Sequence, residues 1–383
     1  MKKAIIRRVE AVIAGTFRDP VFEWGLGLLA EGYGALVALR RHLYATGRLK
    51  RYRLPCRVLS VGNITVGGTG KTPMIVLLAR KMKHLGFRVA VLSRGYGGSA
   101  SSTGAVVSDG ERLLVDAARG GDEPVLIALS CPGVPVVVGR RRSMAGRIAW
   151  ERFRPDWMLL DDGFQHLALQ RDVDVVLLDG ERPFGNGGLL PRGSLREPIG
   201  ALQLADAIVM TRSEEQKPLD RRHPLMGLEK PIFRSRHVPV LRCILGVLEP
   251  IDTAIFRNGK QKTTSDPSLR GRRVLRFSGI ADNSRVDRSI DALGGTVVHS
   301  MDFPDHHDFT VDQLEDIQRE ADRHGADMLV TTEKDAVRMI GRFRFGLPLG
   351  ILGVDIEMVA SDRADFETWL MRTLACSIGG RGV

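Results

Sequence analysis

Six short apolar runs punctuate the middle of the chain, at residues 58–61, 89–92, 134–138, 157–160, 173–178 and 207–210, with stretches such as 74–85 at helical spacing between them. Runs without polar alternation predict strands covered on both faces, which is the signature of a parallel sheet with helices on either side. Between 218 and 271 the pattern fails: Pro218, Pro224, Pro231, Pro239, Pro250 and Pro267 fall among basic residues, and the stretch reads as loop and domain boundary. The alternation then resumes, with strands predicted at 274–277, 296–299, 328–331 and 347–354 and a helix over 311–324. The chain thus divides into 1–52, a core over 53–225 and a second, smaller α/β unit over 226–383.

The first of these segments differs from the rest. Trp24, Leu26, Leu28, Leu29, Leu36, Val37 and Leu39 precede Arg40, Arg41, Arg48, Lys50 and Arg51. Interrupted by Glu31 and glycines, the stretch does not read as a membrane span. It reads as an amphipathic helix that lies at a membrane interface, packs on the domain, or does both.

Composition narrows the chemistry. Hydrophobic content of 43% suffices for a core, and an excess of 56 Lys and Arg over 45 Asp and Glu suits a surface that meets phosphate groups. Cys56, Cys131, Cys243 and Cys376 lack metal-binding spacing and read as reduced thiols. The N-terminus shows no apolar core followed by a cleavage site, so a cytoplasmic location is expected.

The run at 58–61 leads into Gly62-Asn63-Ile64-Thr65-Val66-Gly67-Gly68-Thr69-Gly70-Lys71-Thr72-Pro73 and then a helical stretch. Strand, glycine-rich loop, Lys-Thr and helix are the context of a P-loop. Thr65, Val66, Gly67, Gly68, Thr69 and Gly70 would turn backbone N–H groups toward phosphates, Lys71 would bridge the β- and γ-phosphates, and the Thr72 hydroxyl would ligate Mg²⁺. Thr65 stands where the generic pattern has its first glycine. A second run ends in Asp161-Asp162-Gly163-Phe164-Gln165-His166, a Walker-B arrangement in which one of the paired acids faces the metal.

Three further strings gain interest beside these two. Gly121-Asp122-Glu123-Pro124 alone is a helix start, Leu189 to Pro198 alone is an exposed loop, and Asp305-His306-His307-Asp308 sets two histidines between acids.

In this order the strings resemble the tetraacyldisaccharide 4'-kinases, which phosphorylate the lipid A disaccharide precursor of Gram-negative bacteria. The resemblance spans nearly the whole chain and adds Ser93-Arg94-Gly95-Tyr96-Gly97 and Thr332-Glu333-Lys334-Asp335. In that family the first loop position is characteristically Thr, so Thr65 agrees with it. The resemblance implies a P-loop NTPase-like α/β fold and transfer of the γ-phosphate of ATP to the 4'-hydroxyl of a tetraacyldisaccharide 1-phosphate, giving lipid IVA. It implies ATP and Mg²⁺ as cofactors, with Asp122 as base, His306 as its partner, Lys71 on the phosphates, and Thr72, Asp161, Asp162 and Glu197 around the metal. His307 matches less securely. A peripheral place on the cytoplasmic face of the inner membrane follows, with the lipid A precursor and the anionic membrane surface as partners, no nucleic acid expected and no protein partner identified. Asp122 falls in the core and His306 in the C-terminal unit, so closure of a cleft is expected to bring them together.

The competing class is a P-loop GTPase or metallochaperone ATPase. Its base-recognition motif, Asn-Lys-x-Asp, has its nearest match in Thr332-Glu333-Lys334-Asp335, with Glu in place of Asn. The basic stretch 257–273 matches no motif.

Overall fold

The structure, a computed structural model, describes residues 2–213, 225, 227–253, 256, 268–280 and 282–375. Most of the basic stretch 257–273, and Cys376, lie outside the described residues. Along the chain run α1 (Lys2–Ala14), α2 (Pro20–Ala45), β1 (Arg57–Asn63), α3 (Lys71–His84), β2 (Val89–Ser93), β3 (Ala105–Ser108), α4 (Ala117–Gly120), α5 (Asp122–Ser130), β4 (Val136–Val138), α6 (Arg142–Phe153), β5 (Trp157–Asp161), β6 (Val173–Asp179) and β7 (Ala207–Thr211). Then follow β8 (Ile232–Leu245), β9 (Arg273–Ser278), α7 (Ser284–Ala292), β10 (Thr296–Asp302), α8 (Val311–Arg323), β11 (Met328–Thr332), α9 (Glu333–Arg338), β12 (Leu349–Met358) and α10 (Ala360–Ala375).

These elements form two compact units. One holds the described residues of Met1–Met74, Asp156–His237 and Ile356–Val383; the other holds Ile75–Pro155 and Val238–Asp355. Neither is a single stretch, so they do not coincide with the divisions at 52/53 and 225/226. Prolines mark a change in local sequence, whereas a compact unit is defined by which strands pair.

In the first unit β5, β1, β6, β7 and the start of β8 pair in that order, all in parallel. Six of the seven residues of β1 are buried, which explains its unbroken apolar character. Ile64, Phe164, Val176, Leu178, Leu202, Ile208 and Met210 form a core on one face. Gly62 is required there, because a Cβ would lie 2.5 Å from that of Phe164.

In the second unit β2 pairs parallel with β4, and β3 adds antiparallel to β4. β10, β9, β11 and β12 make a parallel group over Leu269, Val274, Ile290, Met328 and Val330. The helix over 311–323 begins with a capping box, Thr310 accepting from the Gln313 N–H and Gln313 reaching back.

The stretch read as loop contains the long strand β8, in spite of Pro239. Its arginines fall on a strand period and each meets an acid within its own unit: Arg234 pairs with Asp362, Arg236 with Glu357, and Arg242 with Glu333 and Asp355. Basic residues at alternate positions had the look of a solvated loop because the matching acids are more than 90 residues away in sequence.

α2 is a 26-residue helix opened by Asp19, whose carboxylate accepts from the N–H groups of Val21 and Phe22, with Pro20 at the first position. Leu26 and Ala30 are buried on one face, where Tyr33 donates to the Arg196 carbonyl at 2.9 Å. Val21, Trp24, Leu28, Leu29, Leu36 and Leu39 are exposed. At roughly 100° per residue these six fall within about 140° of arc, opposite the packed face. No helix among the described residues is long and apolar enough to cross a membrane.

Candidate active site

The P-loop of the first unit begins where β1 ends. Its entry is fixed by the loop at 189–196: Val66 donates its N–H to the Ser194 carbonyl (2.8 Å), and Arg196 donates to Ile64 (2.7 Å). Thr65, Thr69 and Thr72 are buried, whereas Val66, Gly67 and Gly68 are exposed. Gly67 has φ +110°, and a Cβ on Gly67 or Gly68 would meet nothing within 4 Å, so the rim of the loop is open to a ligand. α3 starts at Lys71 and adds its N-terminal dipole end. The residues fit a polyphosphate.

β5 is the parallel neighbour of β1, with Asp161 opposite Val61. Asp161 is buried at the end of the strand. Asp162 follows in a left-handed turn, φ +49°. Both of its carboxylate oxygens accept from Arg196 Nη1, at 3.1 and 3.0 Å, and Oδ1 lies 3.5 Å from Lys71 Nζ. Burial works to raise its pKa, but Lys71 and Arg196 hold it below the usual carboxylate value. Glu197 is buried and paired with Arg41 of α2 at 2.7 Å. The hard oxygens of Thr72 and Asp161 are of the type Mg²⁺ takes.

Asp122 and His306 both belong to the second unit, not to separate domains. Asp122 opens α5 after Gly121, whose φ is +87° and where a Cβ would sit 2.7 Å from the Tyr96 carbonyl. The glycine thus ties the Ser93 to Gly97 turn against this helix start. Asp122 Oδ2 is 2.8 Å from His306 Nδ1 and also accepts from Arg338 Nη2. Arg338 is buried and held by Asp335 (3.1 Å) and the His307 carbonyl (3.2 Å). The Tyr96 ring flanks that of His306 at 5.6 Å.

Electrostatics separates the two members of the pair. Burial pushes the Asp122 pKa up, yet the hydrogen bonds from His306 and Arg338 and the Arg338 charge hold it well below the usual range. His306 is shifted the other way: its hydrogen bond to Asp122 raises its pKa, with partial burial opposing.

The four residues of Thr332-Glu333-Lys334-Asp335 are all engaged inside the second unit. Thr332 caps α9, Glu333 binds Arg242, Lys334 binds Glu123, and Asp335 accepts from Gly279 N–H and binds Arg338. The string fastens the support of Asp122 and gives no sign of base recognition. Arg338 and Arg196 were not singled out from sequence, although each lies within a quoted motif or next to one. Arg41 was noted only as part of a basic tail.

Two other groupings do not add to the site. His299, Glu320 and His324 bring potential ligand atoms within 4.8 Å of one another. Their two imidazoles are stacked at 4.0 Å and 10°, so the in-plane lone pairs run side by side and do not converge on one ion. Cys56, Cys131 and Cys243 are free, and burial pushes each thiol up to about 12, far from a reactive thiolate.

Comparison with known proteins agrees with this geometry. The family model described as tetraacyldisaccharide-1-P 4'-kinase matches residues 22–375. A tetraacyldisaccharide 4'-kinase of Syntrophus aciditrophicus is 42% identical over 346 residues, 88% of each chain, and one of Desulfatibacillum aliphaticivorans is 39% identical over 96% of this chain and 98% of its own. The crystal structure of "apo" form LpxK from Aquifex aeolicus in complex with ATP superposes with a TM-score of 0.71 at 31% identity, covering 92% of this chain and 99% of that one. With its P-loop, its acid-ended neighbouring strand and its Asp–His pair, the chain belongs to the tetraacyldisaccharide-1-phosphate 4'-kinase family.

Proposed function

We propose that this chain transfers the γ-phosphoryl group of ATP to the 4'-hydroxyl of a tetraacyldisaccharide 1-phosphate, with Lys71, Thr72 and Asp161 serving the phosphates and the Asp122–His306 pair taking the hydroxyl proton. The observation that carries the reading is the 2.8 Å contact between Asp122 and His306, 184 residues apart, in a chain that also has a P-loop. A nucleotide-driven switch needs no such pair. Thr72 and Asp161 would hold Mg²⁺, which when bound neutralises charge on the β- and γ-phosphates. Asp162 orients Lys71, and Glu197, bound to Arg41, anchors the loop at 189–197 to α2.

A sugar hydroxyl is too weak an acid to ionise unaided, so its proton leaves as the bond to phosphorus forms. Asp122, kept anionic by Arg338 and His306, is a weak acceptor by itself. The proton therefore comes to rest on the His306 ring, and the Asp122 carboxylate stabilises the imidazolium, as in a Ser-His-Asp arrangement. The base implied by resemblance is thus the orienting member.

The test follows label from γ-labelled ATP into the acyldisaccharide across pH. His306 must be neutral to accept a proton and its pKa is raised, so transfer is expected to be full above that value and lost as pH falls through it. Were Asp122 the acceptor, its low pKa would leave the rate flat over roughly pH 5 to 8. The acid limb should vanish from the residual activity of His306→Gln; a limb that persists there belongs to another group.

The exposed face of α2 is the reading's second part: it docks on the anionic surface in which an acylated acceptor resides. Deleting α2 would also strip Arg41 from Glu197, so substitution is the cleaner probe. Trp24→Ser with Leu28→Ser and Leu36→Ser should abolish flotation with anionic liposomes while leaving turnover of a detergent-dispersed acceptor nearly unchanged. Equal flotation of wild type and variant would place the contact elsewhere.

A further inference from the structure

At the C-terminal end of β7, Thr211 and Arg212 reach back to the phosphate loop within the first unit. Arg212 Nη2 donates to the Gly68 carbonyl at 2.6 Å, and its other terminal nitrogen pairs with Asp179 at the end of β6. The Thr211 hydroxyl lies 3.1 Å from the Thr69 carbonyl and 3.3 Å from that of Leu178. Arg212 itself is left-handed at φ +55°, a conformation that a non-glycine residue keeps only where its surroundings enforce it. Asp179 is fixed in turn by the N–H of Glu181 at 3.0 Å, and Gly180 donates to the Thr211 carbonyl at 2.7 Å.

The consequence is stereochemical. In a planar trans peptide the C=O of one residue and the N–H of the next point in opposite directions. With the Gly68 carbonyl drawn to Arg212, the Thr69 N–H faces the other way; with the Thr69 carbonyl drawn to Thr211, so does the Gly70 N–H. Glycine at 67, 68 and 70 leaves these peptide planes little steric preference of their own, so an external hold decides their orientation. Asn63 Nδ2, which donates to the Thr69 hydroxyl at 3.1 Å, fixes the remaining side of Thr69.

We infer that Arg212, with Thr211 beside it, is a positioning residue that locks the loop with the Thr69 and Gly70 N–H groups turned toward the bound phosphates, so that the ATP site is formed before ATP arrives. The inference rests on reading this loop as the phosphate site. It assigns Arg212 to the polyphosphate and not to the nucleoside, because its anchor is loop backbone.

Full-length Arg212→Met keeps the apolar stem and removes the donors. With Mg²⁺ present, its Kd for ATP should rise roughly ten- to hundred-fold, the range expected on losing hydrogen bonds from a charged donor. Inhibition by inorganic tripolyphosphate should weaken by the same factor, the KM for the acyldisaccharide should stay put, and Arg212→Lys should recover part of the loss. Thr211→Val, nearly isosteric, should show a smaller shift of the same kind and serves if Arg212→Met does not fold. An unchanged Kd in these variants overturns the proposal, as does weakened ATP binding with tripolyphosphate unaffected, since that places Arg212 on the nucleoside. Should Lys71→Ala also bind and turn over ATP normally, the phosphate-site reading itself fails and the proposal with it.

Discussion

Lys71→Ala and Asp161→Ala are each expected to lower kcat by roughly three orders of magnitude, about 4 kcal/mol of transition-state stabilisation. On the proposed reading both side chains would serve charge that shifts as the γ-phosphoryl group leaves: Lys71 as a cation at the start of α3 and Asp161 as a carboxylate that would hold Mg²⁺. Their loss should therefore fall mainly on kcat, with binding of the acyldisaccharide little affected. The two substitutions differ in their structural side effects. Lys71→Ala removes one of two cations from Asp162, which Arg196 Nη1 still holds through both carboxylate oxygens. Asp161 is buried, so circular dichroism and thermal melting are needed to show that Asp161→Ala still folds. Near-normal turnover in either folded variant would remove the P-loop mechanism.

The second large effect is at the Asp122–His306 pair. Asp122→Asn and His306→Ala should each cut transfer by roughly two to four orders of magnitude, and the double variant should be little worse than the more damaged single one, because the two act as one unit. ATP binding should survive in all three, since neither residue belongs to the phosphate loop. Asn is preferred to Ala at 122 because its amide oxygen can still accept from the buried Arg338, which also keeps Asp335 as its charged partner. Losses that simply multiply would mean that the residues work independently. An active Asp122→Asn enzyme would make the orienting group some other carboxylate.

Much of the fold was written in local pattern. The strands at 57–63, 157–161, 173–179 and 207–211 follow the apolar runs closely, because a strand buried on both faces must be apolar throughout. The P-loop was equally legible: its strand, glycines, Lys71, Thr72 and helix are contiguous, so the chemistry sits in one stretch of chain. β8 was missed because its arginines are made tolerable by Glu333, Asp355, Glu357 and Asp362, and sequence holds no record of which strands will lie alongside.

By itself the sequence determined the class of fold, the phosphate loop, the acid-ended strand and, through the order of its motifs, the family. Tertiary structure alone decided which charges meet. Asp161 and Asp162 are adjacent and chemically identical in sequence, and only the turn at Asp162 hands one of them to Arg196 and Lys71. Asp122 and His306 were expected on separate domains, yet they lie in one unit with Arg338 clamped between Asp122 and Asp335. The pKa of Asp122 depends on neighbours 184 and 216 residues away, and that of His306 chiefly on Asp122, because electrostatic interaction falls with distance in space and takes no account of separation along the chain.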